Sequence, residues 1–448
     1  MDGNNESLKE ARPLTVVFIP FAGAGPINQS IGMADVLRRR GHRVVFILDP
    51  SWKGKCTGYG LEEYIIDIKE ASEKEIQEHS GEYLANYARD SVFNFRGSPF
   101  TQLGTVIQPL MQGLVGESKF YDQYLRDMFD SIRPDVVVED GSLCYPALVT
   151  SAVPWVRIIS CNPLEILGKN VPPKHSGLPQ NDRSKWDAFR NEFNRVYRKM
   201  WEEFNDWVMS KGASPLPELG FIHESEYANI YIYPEEADYG ANRSVGSKIY
   251  RIDSSVRETD HDYELPVAVR DRPSDSSLLY LSLGSFGCVD IVLMQRVIDV
   301  LSKTQHRIIV SMGPLGHQLK LPNTMVGEST LPQTKVIPLV DLVITHGGNN
   351  TITESLHFGK PMIVLPMFYD QHDNAQRMQE MGFGVRLDTY NFTDEQLLSA
   401  LDRLLNDGAL RDRMNRLGEK IRERDGLRAG VDIIERLGRS YADGILQK

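Results

Sequence analysis

Apolar residues run in short unbroken blocks along the chain. Each block is followed by a stretch whose apolar positions recur at helical spacing. Residues 14–20 (LTVVFIP) form the first block; a glycine-rich turn, a helical stretch over 27–40 and a second block at 43–48 (RVVFIL) follow. A continuous apolar run of this length fits a strand buried on both faces. Strand, turn, helix and strand in that order predict a βαβ unit in a parallel sheet. The pattern returns at 135–138 (DVVV), around Ala147 and at 155–159 (WVRII), and the first half closes near 229–233.

A polar, turn-rich stretch occupies 234–266, and a second alternation begins beyond it. Residues 278–283 read as a strand, 291–302 as a helix and 307–310 as a strand; 342–345, 351–358 and 362–365 repeat strand, helix and strand. From Thr393 onward Leu397, Leu401, Leu404 and Leu405 recur at helical spacing, so the tail is predicted to be several helices. A chain of 448 residues exceeds a single ordinary core. The fold class is therefore α/β, with two Rossmann-like doubly wound domains facing a central cleft. Residues 1–235 form the first domain, 236–266 a linker and 267–420 the second domain, while 421–448 are helices packing back toward the first. Open parallel sheets bind ligands beyond the carboxyl ends of their strands, which places the site in that cleft.

Composition changes this picture in one respect. A net charge of −11, with 41% hydrophobic and 25% charged residues, argues against a nucleic-acid surface and against a basic stripe for membranes. An anionic ligand must then be held by local devices such as helix N-termini. Residues 1–12 are polar and lack the pattern of a signal peptide. Cys56, Cys144, Cys161 and Cys288 show no metal-ligand spacing. These features predict a cytoplasmic protein with reduced thiols, no metal and no membrane partner.

In the first βα turn, Gly23 and Gly25 fit the first two glycines of a dinucleotide fingerprint, with Asp49 ending the second strand. Asn28 stands at the third glycine, however, and Pro26 removes an N–H that would meet a pyrophosphate. The turn reads either as a tight structural connection or as the acceptor-side wall of the cleft.

Residues 331–374 carry the chemistry. The strand at 342–345 delivers His346-Gly347-Gly348 at its carboxyl end, and Asn349, Asn350 and Thr351 then open a helix. Free backbone N–H groups and the positive helix end suit a phosphate there, and the glycines permit close backbone approach. Glu354 lies one turn on, on the face of Asn350, where a carboxylate suits ribose hydroxyls. After the next strand, Asp370 and Gln371 can accept from and donate to the hydroxyls of a hexose.

This stretch resembles the nucleotide-sugar signature of the family 1 UDP-glycosyltransferases, which have the GT-B fold. The spacing from Gln333 to His346 and the Val340-Asp341 phrase are similar to the soluble bacterial-type branch. That branch also includes the xenobiotic-conjugating enzymes of mites. The likeness extends to residues 283–285, 311–314 and 251–257, and more loosely to 162–164 and 176–179. It implies that His346 meets the β-phosphate, that Ser285, Gly348, Asn349, Asn350 and Thr351 surround the phosphates, and that Glu354 holds the ribose. It implies further that Asp370 and Gln371 hold the sugar, and that Gln333 and the Leu331 backbone flank the uracil. Thr330 stands where the family usually stacks an aromatic residue on the base.

The family's catalytic His, in a phrase like G-H-I-N-P, is replaced here by Pro26, which cannot accept a proton. Its partner Asp matches Asp140, which could serve as the base directly or through water; Asp182 or His175 in the acceptor loop are the other candidates. Aromatic segments at 93–95, Phe100 and 186–189 could line an acceptor pocket or simply pack the core. The resemblance implies inverting, metal-independent transfer of a hexose, glucose first, from a UDP-sugar to a hydroxyl of a small lipophilic acceptor such as a flavonoid or other xenobiotic. The alternatives are a UDP-sugar epimerase on the same fold and a nucleotide- or lipophile-binding module with little turnover. The nucleotide sugar is a co-substrate, and no cofactor is implied.

Overall fold

The computed structural model describes residues 12–66, 86–87, 89–166, 168, 170–240, 246–258 and 261–446. The polar stretch 1–11 lies outside the described residues. Two parallel sheets organise the chain, as the alternation predicts. The first contains β1 (Thr15–Pro20), β2 (Arg43–Leu48), β3 (Glu62–Ile65), β4 (Val136–Asp140), β5 (Trp155–Ile159), β6 (Ala228–Ile232) and β7 (Ile249–Ile252), in the order β3-β2-β1-β4-β5-β6-β7. The second contains β8 (Leu278–Ser282), β9 (Arg307–Ser311), β10 (Met325–Glu328), β11 (Leu342–Thr345), β12 (Met362–Val364) and β13 (Gly384–Arg386), in the order β10-β9-β8-β11-β12-β13.

Both faces of the first sheet are dry, which explains its unbroken apolar strands. Val16, Phe18, Phe46, Val136 and Val138 pack on one face with residues of α1 (Ala24–Arg39). Val17, Val45, Val137 and Trp155 pack on the other with Phe120, Leu125 and Phe129 of α2 (Gln108–Ile132). Full burial of side chains of this size contributes roughly 1.5–3 kcal/mol each.

The order reverses between β1 and β4, so the loops after these strands open a crevice at the sheet's carboxyl edge. Pro20 is paired with Asp140 across that edge. α3 (Trp186–Ser210) adds a second long helix to this domain; in the other domain α4 (Ile291–Leu301), α5 (Asn349–His357) and α6 (Asp370–Glu380) flank the sheet.

The linker expected over 236–266 is corrected in part. Ile249–Ile252 forms the seventh strand of the first sheet, paired to β6 from Asn229 to Ile232. Its alternation of half-buried and exposed positions is what an edge strand shows, and four residues are too few to register as an apolar block.

The tail is helical, with α7 (Asp394–Asn406), α8 (Gly408–Arg424) and α9 (Gly426–Ala442). The last of these packs on α1, β4 and β7 of the first domain. Gly438 makes this approach possible, because a Cβ there would lie 3.0 Å from Leu14 and 3.2 Å from Val136. Arg40 pairs with Asp432 and Glu435 along the same seam.

Candidate active site

The buried strand β11 ends at His346, and Gly347 turns the chain with φ 92° so that α5 can begin at Asn349. The imidazole is clamped between two glycines. A Cβ on Gly348 would come within 2.5 Å of its Nε2, and one on Gly284 (φ 67°) within 2.4 Å of its Cε1. Burial lowers the imidazole to about 4, so at neutral pH it is uncharged and can donate one N–H. Gly348 caps α5 without any side-chain cap, which leaves the first N–H groups of the helix for an anion.

Two of the residues that open α5 are already engaged across the domain boundary. Asn349 Nδ2 donates to the Ile232 carbonyl at 3.1 Å, and Asn350 Nδ2 donates to the Gly25 carbonyl at 2.8 Å. Both side chains therefore fasten the two domains together, which the sequence did not reveal.

Glu354 is fully buried. Its carboxylate accepts from Arg257 at 2.9 Å and from Gln333 Nε2 at 2.5 Å. Gln333 also donates to Thr351 Oγ1 and accepts from the Tyr280 hydroxyl, so its amide is tied into the Glu354 network. Leu331 is buried immediately before it, next to exposed Thr330. Sequence reasoning missed Arg257 and Tyr280; the signal for Arg257 was its place in the 251–257 stretch that shares the family likeness.

At the start of α6, Asp370 accepts from the Asn162 backbone N–H at 3.0 Å and from Asn374 Nδ2 at 3.3 Å. Burial pushes it up to about 7. Gln371 Oε1 accepts from the Met367 and Phe368 N–H groups. Both side chains are thus oriented before any ligand arrives.

Ser285, Asp370 and Gln371 line a cavity of about 260 Å³ whose opposite wall comes from the first domain, including Gly25, Pro26 and Asp140. Asp140 ends β4 and is buried; Ser160 Oγ donates to its Oδ1 at 2.8 Å, and its Oδ2 has no partner. Burial pushes this carboxyl up to about 6. The apolar lining is supplied by Phe21, by Leu110, Met111 and Leu114 of α2, and by Phe193 and Tyr197 of α3.

Several expectations for this side are corrected. Asp182 is exposed, outside the cavity, and its carboxylate accepts from the Ser184 N–H at 3.0 Å as an ordinary turn residue does. His175 is no solvated loop residue: it is 2% exposed and lines the cavity. Its Nε2 lies 2.5 Å from Glu165 Oε1 and its ring stacks on Tyr369 at 4.0 Å. The loop that carries it is held down by Asp373 of α6, which accepts from the His175 and Gly177 N–H groups. Phe95, Phe100, Trp186 and Phe189 lie outside the cavity lining; Phe95 stacks on Phe368 of the other domain at 4.8 Å, and Phe100 on Phe189.

Among the described residues no group of three or more His, Cys, Asp or Glu could hold a metal ion. No described helix is long and apolar enough to cross a membrane.

Comparison with known proteins agrees with this geometry. Residues 277–424 match the family model described as UDP-glucoronosyl and UDP-glucosyl transferase. Demethyllactenocin mycarosyltransferase of Streptomyces fradiae is 22% identical over 94% of this chain and 86% of its own length. UDP-glucuronosyltransferase 1A9 of Homo sapiens is 36% identical over 153 residues, 32% of this chain and 29% of its own. The solved glycotransferase of kitacinnamycin superposes with a TM-score of 0.67 at 21% identity, over 95% of this chain and 99% of its own.

Proposed function

We propose that this chain, a family 1 UDP-glycosyltransferase of the GT-B fold, transfers a hexose, glucose first, from a UDP-sugar to a hydroxyl of a small lipophilic acceptor. The observation that carries this reading is the single cavity shared by Asp140 and Pro26 on one wall and Ser285, Asp370 and Gln371 on the other. A sugar held by Asp370 and Gln371 presents its anomeric carbon to an acceptor lying against the apolar wall of α2 and α3. The diphosphate lies at the open N-terminus of α5 beside His346, and the ribose lies toward Glu354.

The acceptor oxygen forms its bond to the anomeric carbon as the carbon–oxygen bond to the β-phosphate breaks. The electron pair leaves onto UDP, where the helix N-terminus and the His346 N–H stabilise it. The acceptor proton goes to Asp140, whose unpartnered Oδ2 and burial-raised pKa suit it to accept one near neutral pH. Attack from the face opposite UDP inverts the anomeric centre. Flavonoids and comparable xenobiotics match the apolar lining and need little help in losing a phenolic proton.

The product's anomeric proton, read by NMR after incubation with UDP-glucose and a flavonoid, tests the reading. A β-glucoside from the α-configured donor is expected; an α-glucoside would overturn inversion.

A further inference from the structure

Arg157 sits on β5 with its neighbours Val156 and Ile158 turned to the opposite face of the sheet. It is 7% exposed and lines the acceptor cavity. Its Nε has no hydrogen-bond partner, and no described residue forms an ion pair with the guanidinium. Buried guanidinium groups are normally paired, because an uncompensated charge out of water is strongly unfavourable.

The surrounding carboxylates do not answer this charge. Glu139 is its register partner on β4 and is fully buried with neither oxygen hydrogen-bonded; burial pushes it up to about 8, so it is largely neutral at pH 7. Glu165 is occupied by Lys174 at 2.9 Å and by His175. Asp370 is held by Asn162 and Asn374, and Glu224 stands exposed at the rim. Asp140 is one residue beyond Glu139 and is bound by Ser160.

We propose that Arg157 is an anion subsite of the acceptor cavity, so that the preferred acceptors carry a carboxylate that pairs with the guanidinium while their hydroxyl reaches Asp140. The proposal rests on the transferase reading above and adds the acceptor's charge to it. The planar fork of arginine matches a carboxylate bidentately. The adjacency of β4 and β5 places acid and hydroxyl near one another on a compact hydroxy acid.

The test is calorimetric binding of 3-hydroxybenzoate and of its methyl ester, in the presence of UDP, to the wild type and to Arg157→Gln and Arg157→Lys. The wild type is expected to prefer the acid roughly 10-fold or more, the usual strength of a charge-assisted contact. Arg157→Gln should bring the ratio near one, and Arg157→Lys should keep part of it. A wild type that binds the ester as tightly as the acid overturns the proposal even if neither variant folds. So does a ratio unchanged in Arg157→Gln with a lowered melting temperature, the result expected if Arg157 only balances Glu139.

Hexosyl transfer to the two compounds is scored separately. Transfer without acid preference sinks the subsite alone. Acid preference without transfer to either compound keeps the subsite and sinks the transferase reading.

Discussion

Asn350 of the second domain donates its amide to the Gly25 carbonyl of the first at 2.8 Å. The helix start that faces the diphosphate is thereby tied to the glycine turn that carries Pro26. Because the amide is occupied by Gly25, Asn350→Ala should loosen the cleft more than it weakens the nucleotide. UDP affinity is expected to change by less than about 1 kcal/mol while kcat falls about tenfold, since small misplacements of reacting groups have large kinetic effects. Calorimetry and steady-state kinetics on one preparation check this; a large affinity loss with unchanged kcat would place the side chain on phosphate instead.

The Glu354–Arg257 pair predicts a separation of two variants. Glu354→Ala leaves a buried guanidinium uncompensated and should destabilise the protein by about 3–5 kcal/mol. Glu354→Gln keeps the shape and should destabilise less. Both should weaken UDP binding by about 1–3 kcal/mol through the lost ribose contact. Chemical denaturation beside UDP titration tells the effects apart; equal stability in both variants would contradict the structural half of the argument.

Gly284 cannot carry a side chain without moving His346, and its φ of 67° disfavours one in any case. Gly284→Ala should therefore reproduce the UDP-affinity loss of His346→Ala, about 1–3 kcal/mol, although the residue itself offers the nucleotide no side chain. UDP titration of both variants decides; wild-type affinity in Gly284→Ala would show that the clamp does not position the ring.

Asp140 predicts opposite changes in stability and activity. Its folded pKa of about 6 lies above the ordinary aspartate value. Between those two values the native state holds the proton and the unfolded state does not, so stability falls as pH rises through that window. Asp140→Asn should then melt higher than the wild type at pH 7, by an amount of order 1–3 kcal/mol, and match it near pH 4. Turnover of aliphatic alcohols should drop about 10²–10⁴-fold and lose its acidic limb near pH 6, while acidic phenols are largely spared. A melting series and a pH–rate profile check both halves; equal losses for alcohols and phenols at unchanged stability would exclude Asp140 as the base.

How much of this the chain disclosed follows from where each residue's partners lie. The doubly wound domains were legible because both sheet faces are buried, so strands such as Val16–Ile19 and Leu342–Thr345 read as apolar blocks. Ile249–Ile252 was not, because an edge strand of four residues alternates and carries no block. His346, Glu354, Asp370 and Gln371 were legible because they follow one another at fixed offsets from two strand ends. Arg257 and Arg157 were not: each owes its role to a neighbour or a cavity distant in sequence, and spacing within one element cannot reveal that. Asp182 and His175 were ranked alike as loop residues, yet docking against α6 buried one and left the other in water.

The central claim is that donor and acceptor meet in the cavity between Asp140 and Asp370 and that a hexosyl group passes between them. Mass spectrometry of a flavonoid panel incubated with UDP-glucose in deuterated water tests it most directly. The account predicts acceptor products that gain one hexosyl group, with UDP released in equal amount and no deuterium on the sugar carbons. Tight UDP binding with no hexosyl gain on any acceptor, or deuterium built into the sugar, would contradict it.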